Sequence, residues 1–278
     1  SIEEVAGCRN MLVTIYDQSI DLLPLSATTL RGLHQQLMAY YPAATHYAGR
    51  YKQITNSVIE RHGLTGYEKI VFQTADPGPI TETAMSDLID WYNHARDECA
   101  WGFAVACEFV FRFLAIHPFQ DGNGRLGRGL FLLVLLQSRD KILKGIAPYL
   151  VIDRHIERHR AEYYRILQLC SGGRFTPDPK SYHMEYFLKF MLRMAELAIR
   201  DITVIRGKYA AIESLSLAAA SVWECLKNFP EKRMQSGDIV IDTKLPRRTV
   251  AHALQKLVQL ELVQKKGRGP ATRYQIVF

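Results

Sequence analysis

Between His117 and Arg128 the chain reads HPFQDGNGRLGR, so a histidine, a carboxylate, a glycine–asparagine–glycine turn and two arginines share one short stretch. A base, a hard oxygen ligand, accessible backbone N–H groups and fixed cations are what a nucleotide's phosphate chain requires. Gly122 and Gly124 flank Asn123 where a helix is expected to start. Side chains are therefore absent where a phosphate would meet first-turn N–H groups, which lack intrahelical partners and carry the positive end of the dipole. Asp121 beside them suits a magnesium ion shared with phosphates, although an ordinary Asx turn or helix cap uses the same residue. Arg125 and Arg128 lie three apart near a helix start, where two cations oppose the dipole unless an anion compensates. Their planar forks match phosphate oxygens. With a pKa near neutrality, His117 is placed to take a proton from an attacking hydroxyl. A packed core histidine is the plainer alternative. The stretch reads as a nucleotide-transfer site, with Phe119 turned inward to fix it.

Two apolar helices must hold this loop. The stretch from Ala100 to Ile116 is apolar nearly all round, and Gly124 to about Ser138 is again apolar and helical, so the loop has a rigid mount. Upstream, helical spacing runs from Ile2 to about Ile20, and Ser26 is expected to cap a second helix through about Tyr41. Between Pro42 and Pro79, β-like runs such as YEKIVF alternate with glycine and proline, which predicts a hairpin or extended flap. Thr81 or Thr83 is expected to start a helix through about Arg96. Further helices are expected over Glu157–Leu169 and from His183 to about Ile205, with a domain boundary near Arg206–Ala210.

HPFQDGNGRLGR resembles the signature of the Fic domain, HxFx(D/E)GNGRxxR, at every specified position, and a weaker likeness runs from about Ile2 to Leu192. The resemblance implies a mainly α fold, a Fic-type helical bundle with a small β-hairpin flap, spanning residues 1–206. It implies a protein adenylyltransferase that moves AMP from ATP onto a Ser, Thr or Tyr hydroxyl of a target protein or of itself and releases pyrophosphate. In that scheme His117 is the general base and Asp121 holds Mg²⁺. Gly122, Asn123 and Gly124 receive the phosphates, and Arg125 and Arg128 bind the β and γ groups. The EKIVF region, Tyr67 to Phe72, stands where the family docks its target strand. Tyr163 or Tyr164 is expected on the adenine side. Many members carry an inhibitory helix whose glutamate pairs with the second motif arginine. Here Glu3 is the candidate, with Arg128 as its partner. The Ser/Thr of that pattern, four residues before Glu3, would precede Ser1, and Glu4 stands where Gly or Asn is usual; first-turn acids that merely favour the helix dipole are the alternative.

The last quarter of the chain differs in charge. Of the net +7, +6 falls after Gly207. LSLAAASVWECLKNF reads as a helix, SGDIVIDTK as a short segment, and LPRRTVAHALQKLVQL as a helix with Pro246 in its first turn. LVQKKGRGPATRYQIVF then reads as strand, basic turn and strand. That order suggests a winged helix-turn-helix over 207–278. Arg247, Arg248 and Lys256 fall on exposed phases, Val250, Leu254, Leu257 and Val258 face inward, and Lys265, Lys266, Arg268 and Arg273 decorate the wing. This is the footprint of duplex DNA, or of a protein-docking module with a solvated basic face.

Composition excludes little else. Hydrophobic residues make up 48% and charged residues 23%, enough for a real core. No apolar run spans a bilayer and no leader is recognisable, so a soluble, cytoplasmic protein without a membrane partner is expected. The chain starts at Ser1 without a methionine, which leaves room for residues upstream. Five cysteines, odd in number and without a CxxC pair, argue against a disulfide framework or zinc site. Three alternatives stay open: a nucleotide-sensing DNA-binding regulator, transfer of another group such as UMP, and removal of AMP. Association into homo-oligomers is open as well.

Overall fold

The structure, a computed structural model, describes residues 2–61, 68–229, 232–267 and 269–277. It divides into two compact units, Ser1–Ile199 and Arg200–Phe278.

In the first unit, the centre is the pair α4 (Gly102–Ile116) and α5 (Asn123–Leu136), with the HPFQDG stretch closing the turn between them. α4 has no proline and buries nearly every residue from Val105 to Ile116, as its all-round apolar sequence requires. Against this pair pack α1 (Ile2–Gln18), α2 (Ala27–Met38) and α3 (Pro79–Glu98). Ser26 caps α2 as expected, its side chain accepting from Thr29 N at 3.1 Å. α1 and α2 meet so closely at Gly7 that a Cβ there would lie 1.9 Å from the Leu37 carbonyl oxygen. α3 starts at Pro79, ahead of Thr81 and Thr83. Proline at the first helical position is preset in φ, and Thr81 donates to the Asp76 carbonyl at 2.6 Å instead of capping.

The predicted flap is an antiparallel hairpin of β1 (Ser57–Arg61) and β2 (Glu68–Gln73). Its register slips between Val58 and Ile59, leaving Val71 as the extra residue. Such a bulge lets the adjacent Val71 and Phe72 both be buried while Ile70 stays exposed. The Tyr67 end of the expected docking run lies outside the described residues. The other edge of β2 is partly covered: Gln73 N donates to Gly173 O at 2.9 Å, and Phe175 N to Gln73 O at 2.8 Å. α6 (Lys141–Ile146), α7 (Ile152–Arg158) and α8 (Arg160–Ser171) follow α5. α9 runs from Met184 to Glu213, so the division between the units falls inside one helix.

The second unit holds α10 (Leu217–Asn228), α11 (Ser236–Thr243), α12 (Arg247–Gln259) and the antiparallel pair β3 (Val263–Lys266) and β4 (Arg273–Ile276). Val222, Leu226, Ile239, Val250, Leu254, Leu257 and Ile276 form its core. SGDIVIDTK, read from sequence only as a short segment, is the helix α11. Its isoleucines and valine are modest helix formers, but a capping box between Gln235 and Asp238 nucleates the turn and burial of Ile239 holds it. Among the described residues no helix is long and apolar enough to cross a membrane.

Candidate active site

The loop between α4 and α5 is shaped by backbone demands. His117 ends α4 in the left-handed region, φ 53° and ψ 58°, which a residue with a Cβ adopts only when held there. Gly122 caps α5 at φ 80°, and a Cβ at that position would press on Met38 and Leu37 of α2. Asn123 closes the loop from inside. Its Oδ1 accepts from Phe119 N at 2.9 Å and its Nδ2 donates to Phe119 O at 2.7 Å. The Asn123 side chain is thus spent within the loop and is 1% exposed, which leaves its backbone N–H at the start of α5 as the group that can meet a phosphate. Phe119 is fully buried, as expected, stacked on His34 with ring centroids 3.9 Å apart.

His34 is a part of the site that sequence did not reveal. Its Nδ1 accepts from Gly49 N at 2.9 Å, so Nε2 carries the proton and donates to Asp121 O at 2.9 Å. Burial pushes its pKa down to about 4, outweighing the Asp121 carbonyl bond. A single histidine on an amphipathic helix carries no sequence signal that separates this role from ordinary packing.

His117 lines a cavity of about 320 Å³ together with Gly124, Arg128, Tyr163 and Tyr164, all named from sequence, and Asp153, which was not. Its Nδ1 lies 3.2 Å from the Leu114 carbonyl, which can only accept. The proton therefore sits on Nδ1, and Nε2 keeps its lone pair. Burial lowers the His117 pKa to about 4; the Leu114 bond raises it, the Lys52 cation lowers it further, and Asp121 raises it. A neutral imidazole with a free acceptor nitrogen is the form a general base needs. Arg128 lies over the first turn of α5, with Nη1 3.7 Å from where a Cβ of Gly124 would stand. Its Nε is 3.4 Å from Asp153 Oδ2. Asp153, on α7, is thus a partner of Arg128 that the sequence reading did not name. Val58 and Phe72 bring the flap to the cavity wall, and Tyr163 and Tyr164 lie with ring centroids 5.8 Å apart.

Arg125 shares with Arg128 a cavity against α1 but has different partners. It is 17% exposed and is held by Glu4 at 3.1 Å, by Asp121 Oδ2 at 3.2 Å and by the Tyr41 hydroxyl at 3.3 Å. An ion pair thus joins α1 to the motif through Glu4; Glu3, in the same first turn, is exposed. Asp121 is 56% exposed, with Oδ1 accepting from Gly122 N at 2.6 Å. Among the described residues no group of three His, Cys, Asp or Glu side chains could hold a metal ion. A single exposed carboxylate beside a helix N-terminus, itself paired with Arg125, fits magnesium only as an ion whose shell phosphates and water complete.

A model of the Fic/DOC family matches residues 24–135. Over 102 residues the chain is 41% identical to a Fido domain-containing protein of Dictyostelium discoideum, an alignment covering 32% of this chain and 67% of that one. Over 116 residues it is 27% identical to the protein adenylyltransferase fic-1 of Caenorhabditis briggsae, covering 42% of this chain and 19% of that protein. The chain thus spans about a fifth of the length of that relative. Among solved structures, a Fic domain containing signaling protein of Bacteroides thetaiotaomicron superposes with a TM-score of 0.55 at 28% identity, over 73% of this chain and 70% of that one. The chain belongs to the Fic/DOC family.

Proposed function

We propose that this protein is an adenylyltransferase that moves AMP from ATP onto a hydroxyl of a protein. The observation that carries the reading is His117, its Nδ1 engaged by the Leu114 carbonyl and its Nε2 without a hydrogen-bond partner among the described residues, lining the same cavity as Gly124 and Arg128 at the start of α5. His117 Nε2 takes the hydroxyl proton as the target oxygen attacks the α-phosphorus, and pyrophosphate leaves. Backbone N–H groups at the start of α5 and the Arg128 guanidinium hold the phosphate chain, with Arg125 joining them once Glu4 releases it. Asp121 would hold Mg²⁺, which offsets phosphate charge. Tyr163 and Tyr164 stand on the adenine side of the cavity, and the β1–β2 flap offers a strand to the target. The acids at the start of α1 restrain the reaction by occupying motif arginine; the Glu4–Arg125 pair supports Glu4 in this role ahead of Glu3.

The test is incubation of the full chain with a cell lysate and each labelled nucleotide in turn, followed by intact-mass spectrometry of the modified proteins. Addition of an AMP group from ATP is expected, and the chain itself is to be weighed as an acceptor. Addition of UMP, loss of AMP from a pre-modified protein, or no transfer at all would each replace the reading.

A second reading concerns residues 207–278, which we propose fold as a winged helix-turn-helix that contacts duplex DNA. It is favoured by one observation: Arg247, Arg248 and Lys256 of α12 and Lys265 and Lys266 of the hairpin are all exposed while Val250, Leu254 and Leu257 are buried. Arg268 lies outside the described residues. Binding to a mixed-sequence duplex is expected to weaken with salt, with a log–log slope near −0.9 per phosphate contacted. Replacing Arg247 and Arg248 by glutamate is expected to lower affinity by roughly tenfold or more. Salt-independent or absent duplex binding in the full chain would leave a protein-docking role for this face.

A further inference from the structure

Lys52 is 2% exposed, and among the described residues its ammonium group gives hydrogen bonds only to neutral oxygens: Asn56 Oδ1 at 2.9 Å, Thr74 Oγ1 at 2.9 Å and Ile116 O at 3.0 Å. Burying a cation without a carboxylate partner is costly, and an apolar side chain of similar length would fill the space more cheaply. Burial lowers its pKa to about 8, against the pull of Asp76. The cost is explained by what the three bonds join. Asn56 immediately precedes β1 and Thr74 immediately follows β2, so the two are the ends of the flap. Ile116 O is the carbonyl just before His117.

The neighbouring bonds repeat the connection. Lys52 N donates to Pro118 O at 2.8 Å, and Asn56 Nδ2 donates to Phe119 O at 2.8 Å. Lys52 thus binds the carbonyls on both sides of His117, the residue held at φ 53°. Thr74 Oγ1, accepting from Lys52, sends its own proton to the Asn56 backbone carbonyl at 2.7 Å or its side-chain oxygen at 2.8 Å.

We infer that Lys52 is a positioning residue that locks the root of the β1–β2 flap to the peptide carrying His117, so that the target strand and the base keep one fixed separation. This inference rests on the roles given above to His117 and the flap. A general base displaced by about 1 Å loses on the order of 10²-fold in rate, which makes such a lock worth a buried charge.

The test compares Lys52→Met, Lys52→Arg and Thr74→Val in the full chain by amide hydrogen exchange, ATP binding and AMP transfer. In Lys52→Met, exchange over residues 57–73 and over 115–123 is expected to rise together, on the order of tenfold, with α3 and the start of α9 changed less than about twofold. ATP affinity is expected to stay within about threefold, since the cavity loses no ligand-facing group, while transfer falls on the order of 10²-fold. Lys52→Arg keeps the donors and is expected to recover most of the coupling; Thr74→Val affects the same two stretches more weakly. A uniform rise in exchange across the fold would make Lys52 a mere structural filler and overturn the inference, as would a rise in only one stretch or none. If Lys52→Met does not fold, Thr74→Val decides by the same coincidence of the two stretches. If the wild-type chain transfers no AMP, the proposed function fails, and the exchange pattern still decides whether Lys52 couples flap and loop.

Discussion

Replacing His117 by alanine is expected to remove nearly all AMP transfer and to leave ATP bound. The loss expected for a general base is about 10²–10⁴-fold in turnover, while ATP affinity changes by less than about threefold, because the phosphates are held from the start of α5 and by Arg128. Labelled-AMP transfer and calorimetric ATP binding, measured on the same preparation, separate the two. Transfer that survives the substitution would remove His117 as the base. The same assignment fixes a pH profile. The base works unprotonated, and burial holds the His117 pKa at about 4, so transfer is expected to stay level from neutral pH down to about 5 and to fall below that, not around the ordinary 6.5. Stability moves differently. His34 and His117 both have folded-state pKa values of about 4, so the unfolded chain takes up their protons first. The fold therefore loses stability as pH drops from about 6.5 towards 4. Circular dichroism at each pH keeps an acid limb due to unfolding apart from one due to the base.

Replacing Glu4 by glycine is expected to raise transfer. Arg125 is bound by two carboxylates and a hydroxyl, Glu4 at 3.1 Å among them, so an incoming phosphate must displace a charge to reach it. Glu4 is 44% exposed and solvent screens the pair, so its contribution is about 1 kcal/mol, equivalent to roughly fivefold in nucleotide affinity. A further gain in turnover is expected where ATP is held with its α-phosphorus misaligned by the acid, bringing the overall rise to on the order of tenfold. Glu3→Gly is the register control and is expected to change transfer by less than about twofold. If Glu3→Gly activates and Glu4→Gly does not, the inhibitory role returns to Glu3. If neither does, α1 is a structural helix and the Glu4–Arg125 pair only mounts it on α5.

The partition of the two motif arginines shows how structure refines a motif. Their spacing puts Arg125 and Arg128 on neighbouring helix positions, which suggests a joint phosphate clamp. Both line one cavity against α1, but their partners differ: Arg128 lies over the first turn of α5 beside Asp153, and Arg125 is held by Glu4, Asp121 and the Tyr41 hydroxyl. Asn123 shows the converse. Its place between two glycines looks like a ligand contact, yet its amide closes the loop on Phe119. Such an inward amide gives the loop its shape without touching a substrate.

The sequence by itself determined the reactive loop, the two apolar helices that mount it, the Ser26 cap and the flap, because each is written in short-range pattern: residue types at fixed spacing, helical and strand periods, glycines where φ turns positive. It also marked the charge asymmetry of the last quarter. Only the tertiary structure decided that Glu4 meets Arg125, that Asp153 meets Arg128, that His34 steadies Asp121, and that Lys52 joins the flap to His117. Each of those pairs spans from 25 to 121 residues of chain, and no local pattern records which distant side chain a folded backbone will bring within hydrogen-bonding reach.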